Sequence, residues 1–260
     1  MRSWVLLASS LFVVSLSLLI PAAFFAIVPP VAAAAGAVVQ NDSAWIDSLG
    51  DLHIVGEVKN TGDLWVRFVE ITGTLRDASN GVVDVIFTYT LLSYVPPGNT
   101  ASFDMIEMDT AKSARVQSYS LAVEFQQVAA LSQKLIILSV SDSKNALGWL
   151  EVVGEVQNQG DIPSTYTKVV GTFYDTNDKV VYVGLTYTSP DEIPVGGRCG
   201  FKLTVVGTER TYRIARYSVT AESEDSRFTS VPETPWPGTL MVAALTVSVV
   251  ALVALRRKRA

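Results

Sequence analysis

The middle of this 260-residue chain is written twice, and no other feature limits its fold as strongly. His53-Ile-Val-Gly56-Glu-Val-Lys-Asn60-Thr-Gly62-Asp63 returns as Glu151-Val-Val-Gly154-Glu-Val-Gln-Asn158-Gln-Gly160-Asp161, at an offset of 154 − 56 = 98. The offset holds without a gap through Gly73/Gly171, Asp77/Asp175, Val82/Val180, Thr88-Tyr89-Thr90/Thr186-Tyr187-Thr188, Gly98/Gly196, Phe103/Phe201 and Tyr119/Tyr217. Roughly a third of positions 50–124 equal their partners. A period near 100 residues is too long for a solenoid unit, so each copy is expected to be a complete domain.

Each copy is a series of short segments rich in Val, Ile, Thr, Tyr and Phe, punctuated by Gly, Pro, Asn and Asp. Leu52, Ile54 and Val58 alternate with His53, Glu57 and Lys59, which predicts a strand with one wet face. Asn60-Thr-Gly-Asp63 and Asn158-Gln-Gly-Asp161 predict turns in which Asn and Gly accept positive φ. Pro96-Pro-Gly98 and Pro194-Val-Gly196 predict turns with Gly at a positive-φ position. Six or seven strands in about 90 residues predict an all-β chain of two tandem immunoglobulin-like β-sandwich domains, over 36–128 and 134–225.

The strand and turn Gly-Glu-Val-x-Asn-x-Gly-Asp, followed by Gly171-Thr-Phe173-Tyr174-Asp175 and Val180-Val181, resembles the FxLYD domain of archaeal and bacterial envelope proteins. The first copy reads Gly73-Thr-Leu75-Arg76-Asp77 at the same place. The resemblance covers about 50–125 and 148–223, and it implies a surface β-domain without catalytic residues.

The two ends address the chain to a membrane. Residues 1–35 hold one base, Arg2, no acid and a long apolar run, and small residues run across their end over 31–37. They read as a signal peptide, with an uncleaved anchor as the alternative. Residues 238–255 are uncharged and apolar, about the length of a spanning helix, and Arg256-Arg-Lys-Arg259 in the 256–260 tail follows directly. The positive-inside rule keeps that tail cytoplasmic and puts the body outside, as a single-pass cell-membrane protein. Three prolines in 226–237 predict an extended stalk that is neither helix nor sheet, with Trp236 at the interface. Stalk, helix and basic tail together resemble the tripartite C-terminal sorting signals of surface proteins, in which a sortase-like enzyme removes the helix. A plain C-terminal anchor is the reading taken.

Residues 36–237 carry 15 Lys and Arg against 25 Asp and Glu, a net charge of 15 − 25 = −10. Such a body repels phosphate backbones, so no nucleic-acid partner is expected. One cysteine, Cys199, excludes an intrachain disulfide, and with the single His53 it excludes the usual zinc sites. His53, the one imidazole, is expected to be a solvated residue on the wet strand face, and Cys199 a small strand residue matched by Ala101. No catalytic elbow, phosphate-cradling loop or metalloprotease motif occurs. No catalytic residue and no cofactor are therefore assigned. Asp63, Asp77, Asp161 and Asp175 are weak calcium candidates that double as turn formers. Asn41-Asp-Ser43 is a glycosylation sequon. The matched aromatics are expected to be core or corner residues. Trp65, matched by Pro163, is a possible binding surface. The chain is expected to be a non-enzymatic protein whose sandwiches bind or build outside the membrane. The alternative is an accessory subunit that holds other envelope proteins.

Overall fold

The structure, a computed structural model, describes residues 36–132, 134–223 and 229–235. The segments expected to be signal, spanning helix and basic tail lie outside the described residues. Among the described residues no helix is long and apolar enough to cross a membrane.

The chain is all-β. The first copy runs β1 (Ala37–Ile46), β2 (Leu52–Asn60), β3 (Trp65–Arg76), β4 (Val82–Tyr89), β5 (Tyr94–Val95), β6 (Thr100–Glu107), α1 (Thr110–Ser113) and β7 (Ser118–Val128). The second runs β8 (Leu135–Lys144), β9 (Leu150–Asn158), β10 (Ser164–Thr165), β11 (Lys168–Tyr174), β12 (Val180–Tyr187), β13 (Glu192–Ile193), β14 (Arg198–Val205), α2 (Thr208–Arg213), β15 (Arg216–Glu222) and β16 (Thr229–Pro235). In copy one a β1-β2-β6 sheet faces a sheet in which β3 pairs with β4, β5 and β7. In copy two β8-β9-β14 faces β12-β11-β15-β16. The registers agree at the offset of 98: Gly56 pairs with Phe103 and Gly154 with Phe201, while Leu75 pairs with Tyr119 and Phe173 with Tyr217.

The repeated residues earn their places physically. Asn60 and Asn158 are wholly buried. Asn60 Nδ2 donates to the carbonyls of Leu64 and Val95, both at 2.8 Å, and its Oδ1 accepts from the Gly62 N–H at 3.0 Å. Asn158 repeats this with Ile162, Ile193 and Gly160. Each Asn therefore ties its own turn to the Pro-x-Gly turn, whose Gly98 and Gly196 have φ of 75° and 71°. The expected positive φ inside Asn60–Asp63 is not found. The turn is held by the buried amide, and a Cβ at Gly62 would sit tightly, 3.2 Å from the Gly36 Cα. Gly56 and Gly154 make room for a ring, since a Cβ would come within 2.8 Å of Phe103 Cζ or 2.6 Å of Phe201 Cζ.

Two further expectations change. The segment read as a stalk forms β16 over Thr229–Pro235, antiparallel to β15. An edge strand needs ladder donors on one side alone, so proline is tolerated there. The matched aromatics also divide. Phe103, Phe201 and Tyr217 are core, whereas Tyr89 and Tyr187 stand about half exposed on the outer sheet faces. Tyr119 and Tyr217 bridge the two sheets of each copy, through Asp42 at 2.6 Å and Asp142 at 3.0 Å.

Candidate functional site: the seam between the copies

Both copies belong to one compact unit. The wet face expected for β2 is dry, because the β12-β11-β15 sheet of copy two covers it. Val55 is 0% exposed, and the copy-one core continues into Val170, Tyr174, Val180 and Val183 of copy two. The physical reason is that β11 carries apolar or hydroxyl side chains on both faces. Val169 and Phe173 enter the core of copy two, while Val170, Thr172 and Tyr174 enter the seam.

The seam is polar at its centre. Glu57, nearly fully buried, accepts from the Tyr174 hydroxyl at 2.6 Å, Thr100 Oγ1 at 3.0 Å and Asn41 Nδ2 at 3.2 Å. A buried carboxylate with three donors loses little of its hydration energy. The Ser102 and Thr172 hydroxyls meet across the seam, and Ser43 Oγ donates to the Val180 carbonyl. At one corner Glu222 accepts the N–H groups of Ser93 at 2.9 Å and Tyr94 at 3.2 Å. Lys168 Nζ donates to the Leu91 carbonyl at 2.7 Å.

His53 lies at the other end of this seam and is not solvated: its side chain is 15% exposed. Trp45 faces it across the β1–β2 register, and the rings stack at 5.1 Å with an interplanar angle of 1°. His53 Nδ1 lies 3.1 Å from Asp104 Oδ1 on β6, and Nε2 lies 3.7 Å from Asp47 Oδ2. The hydrogen bond to Asp104 raises the His53 pKa; burial and the Arg210 charge act against it, and the Asp104 and Asp47 charges support it. The ring thus has a carboxylate on each side, Asp104 and Asp47, both from its own copy. Asp47 is partly desolvated, but the N–H groups of Asp51 and Leu49 hold its carboxyl below the usual range. From α2 of copy two, Arg210 caps the Trp45 ring at 5.4 Å and the Tyr182 ring at 5.7 Å. An open groove of about 440 Å³ runs beside them, lined by Trp45, Asp47, Thr208, Arg210 and Arg213 among others.

The other candidates fall elsewhere. Trp65 opens β3 at 7% exposure inside the core of copy one, so it offers no binding surface. Its large apolar ring is taken up by packing. Asp77 Oδ1 accepts the N–H groups of Ser79 and Gly81, and Asp175 Oδ1 those of Asn177 and Lys179, which is turn chemistry. Asp63 is exposed, and Asp161 pairs loosely with Lys134 at 3.5 Å. Among the described residues no three His, Cys, Asp or Glu side chains come together as a metal site. The Asn41 nitrogen that would carry a glycan is half-buried and turned to Glu57, so modification would displace that contact. Cys199 is buried, and burial pushes its thiol pKa up.

The seam was missed because each copy was read alone. Within the copies, the pair His53 and Asp104 is matched at the 98-residue offset by Glu151 and Lys202, which bond at 2.8 Å with the signs exchanged. A second missed feature is backbone geometry. Phe68 and Tyr166 are matched, exposed, and held at φ of 47° and 45°, where the strand bulges.

No protein-family model matches the chain, and no curated protein matches it. Among solved structures, red sea bream transglutaminase is similar over 75% of this chain and 31% of its own, at 12% identity and a TM-score of 0.25. Amycolatopsis orientalis exo-chitosanase CsxA is similar over 74% of this chain and 26% of its own, at 10% identity and a TM-score of 0.28. The chain thus spans under a third of either structure.

Proposed function

We propose that this chain is a non-enzymatic, membrane-anchored surface protein that presents two fused immunoglobulin-like β-sandwiches of FxLYD type for binding or cell-surface structure. The observation that carries the reading is the use made of the chain's reactive groups. The central buried carboxylate, Glu57, binds Tyr174 of the other copy, and the sole imidazole, His53, is taken up by Asp104 and Asp47 of its own copy. What the body offers outward instead is apolar sheet face, with Phe68, Val85, Phe87 and Tyr89 exposed on copy one. Apolar surface of that kind is the ordinary mark of an interaction face. The apolar terminal runs and the basic tail favour single-pass anchorage with the body outside the cytoplasm.

The test uses the full chain in intact cells. In a Cys199→Ala background, Asp161→Cys places one thiol on a side chain that is 90% exposed. A membrane-impermeant maleimide is expected to label it in intact cells, and the labelled chain is expected to stay with the membrane in alkaline carbonate. Labelling that requires lysis would overturn the topology, and carbonate extraction would overturn the anchor.

A further inference from the structure

The seam has a direction. Copy two uses the outer face of its β12-β11-β15 sheet, and copy one uses the outer face of β1-β2-β6. Among the described residues one face of each kind is therefore left unused: β4-β3-β7 on copy one and β8-β9-β14 on copy two. The unused faces still carry the apolar residues of the seam. Val82 and Val85 are each 55% exposed, while their matches Val180 and Val183 are 0% and 6% exposed in the seam. On the other side Val153 is 39% exposed and its match Val55 is 0% exposed. Ile136 and Leu138 extend that second face, and Phe87, at 66%, extends the first.

We infer that a second copy of this chain docks its β4-β3-β7 face on the β8-β9-β14 face of the first, reproducing the internal seam between molecules. The polar centre is replaced by complementary charge. Glu155 stands where Glu57 stands, and Arg76 where Tyr174 donates to it, so the intermolecular contact pairs Arg76 with Glu155. Thr74, the match of Thr172, then meets Gly200, the match of Ser102. Two contacts at one corner are not reproduced. Glu124 faces Asp191 where Glu222 meets Ser93, and Glu70 stands where Lys168 donates to Leu91. The contact is therefore weaker than the internal seam and gains from screening salt. Because the two faces differ, the contact is heterologous and adds copies head to tail. The inference rests on the proposed surface display only for the compartment in which the copies meet.

Cysteine cross-linking in native membranes tests it with the full chain in the Cys199→Ala background. Thr74→Cys and Gly200→Cys in one chain are expected to give an oxidant-dependent ladder of dimers and longer species. A Cβ at Gly200 has room, its nearest neighbour being the Gly154 carbonyl oxygen at 3.7 Å. Each single variant is expected to stay monomeric, and the two singles expressed together to stop at the dimer. Adding Phe87→Glu or Val153→Glu is expected to cut the ladder severalfold. Arg76→Glu is expected to weaken it, and adding Glu155→Arg to restore it. Ser102→Cys with Thr172→Cys is the internal control, closing within one chain. A closed control with no ladder from the Thr74/Gly200 pair overturns the inference, and so does a single variant that cross-links to itself. Failure of the display reading is separate: a ladder without surface labelling leaves this contact standing, and labelling without a ladder removes it.

Discussion

Removing one buried amide should cost more than removing most core methyl groups. Asn60 is 0% exposed and makes three hydrogen bonds, two donated to carbonyls and one accepted from Gly62. Asn60→Ala leaves those three backbone groups without their partner. At about 1 kcal/mol net per bond, and more for the deeply placed Val95 carbonyl, the loss is about 3–4 kcal/mol. For a cooperative unit of this size that is roughly 6–16 °C in Tm. Asn60→Asp sharpens the test because it keeps the shape and the acceptor for Gly62. It replaces the two donors by an oxygen aimed at two carbonyl oxygens. At neutral pH it should therefore be worse than alanine, since it buries an unpaired charge as well. The introduced carboxyl is easier to protonate in the folded state than in the unfolded chain. Its folded pKa is raised, so the penalty is largest at high pH and fades as pH falls toward the unfolded value. Thermal unfolding followed by circular dichroism at pH 7 and pH 4, with the exposed Thr61→Ala as control, reads both effects. If Asn60→Ala melts within about 2 °C of the parent, or Asn60→Asp equals the parent at pH 7, the amide is not what holds the turn.

Three further outcomes follow from other contacts. The chain has one histidine, so its ring protons titrate alone by NMR; the midpoint should lie above 6.5, and Asp104→Asn should bring it down. Since the folded pKa is raised, His53 adds stability that is complete below about 6.5 and is lost as pH rises through the folded value, so the stability slope in that window should shrink in Asp104→Asn. Tyr174→Phe removes one hydrogen bond to the buried Glu57 carboxylate and should lower stability by about 1.5–3 kcal/mol in urea unfolding, with an unchanged slope; no change in midpoint would mean the seam does not depend on it. Gly154→Ala forces a Cβ to within 2.2 Å of the Ser139 carbonyl oxygen and 2.6 Å of Phe201 Cζ and should cost about 3 kcal/mol or more, whereas Gly200→Ala should shift the melt little; equal effects would refute the packing argument.

The strand pattern and the two-copy layout were legible because both follow from local rules. Alternation, turn residues and a gapless offset require no knowledge of what lies across a sheet. What those rules misplace is everything decided by a second layer. His53 reads as wet since its strand neighbours alternate correctly, and no local pattern reports that copy two covers that face. Trp65 reads as a surface residue because it follows a turn and lacks a match, yet its ring fills the core of copy one. β16 reads as a stalk because proline counts against an interior strand, and the sequence does not say that this strand is an edge.

Comparing the copies with each other, rather than with a generic sandwich, recovers part of the second layer. A duplicated domain keeps what its own core needs, so Gly56/Gly154, Asn60/Asn158 and Phe103/Phe201 are unchanged. Where the copies differ at matched places, the environment has diverged. Tyr174 against Arg76 marks a hydroxyl inside a seam against a charge at an open face. Where the copies agree on outward positions, both faces still meet a similar demand. Val82 and Val85 are not needed by a solvated surface, but they are what a sheet needs when another sheet lies on it. Agreement at outward positions is therefore the more informative half of the repeat. It is also why the apolar ends of this body read as faces built for a copy of the chain's own seam rather than as incidental exposure.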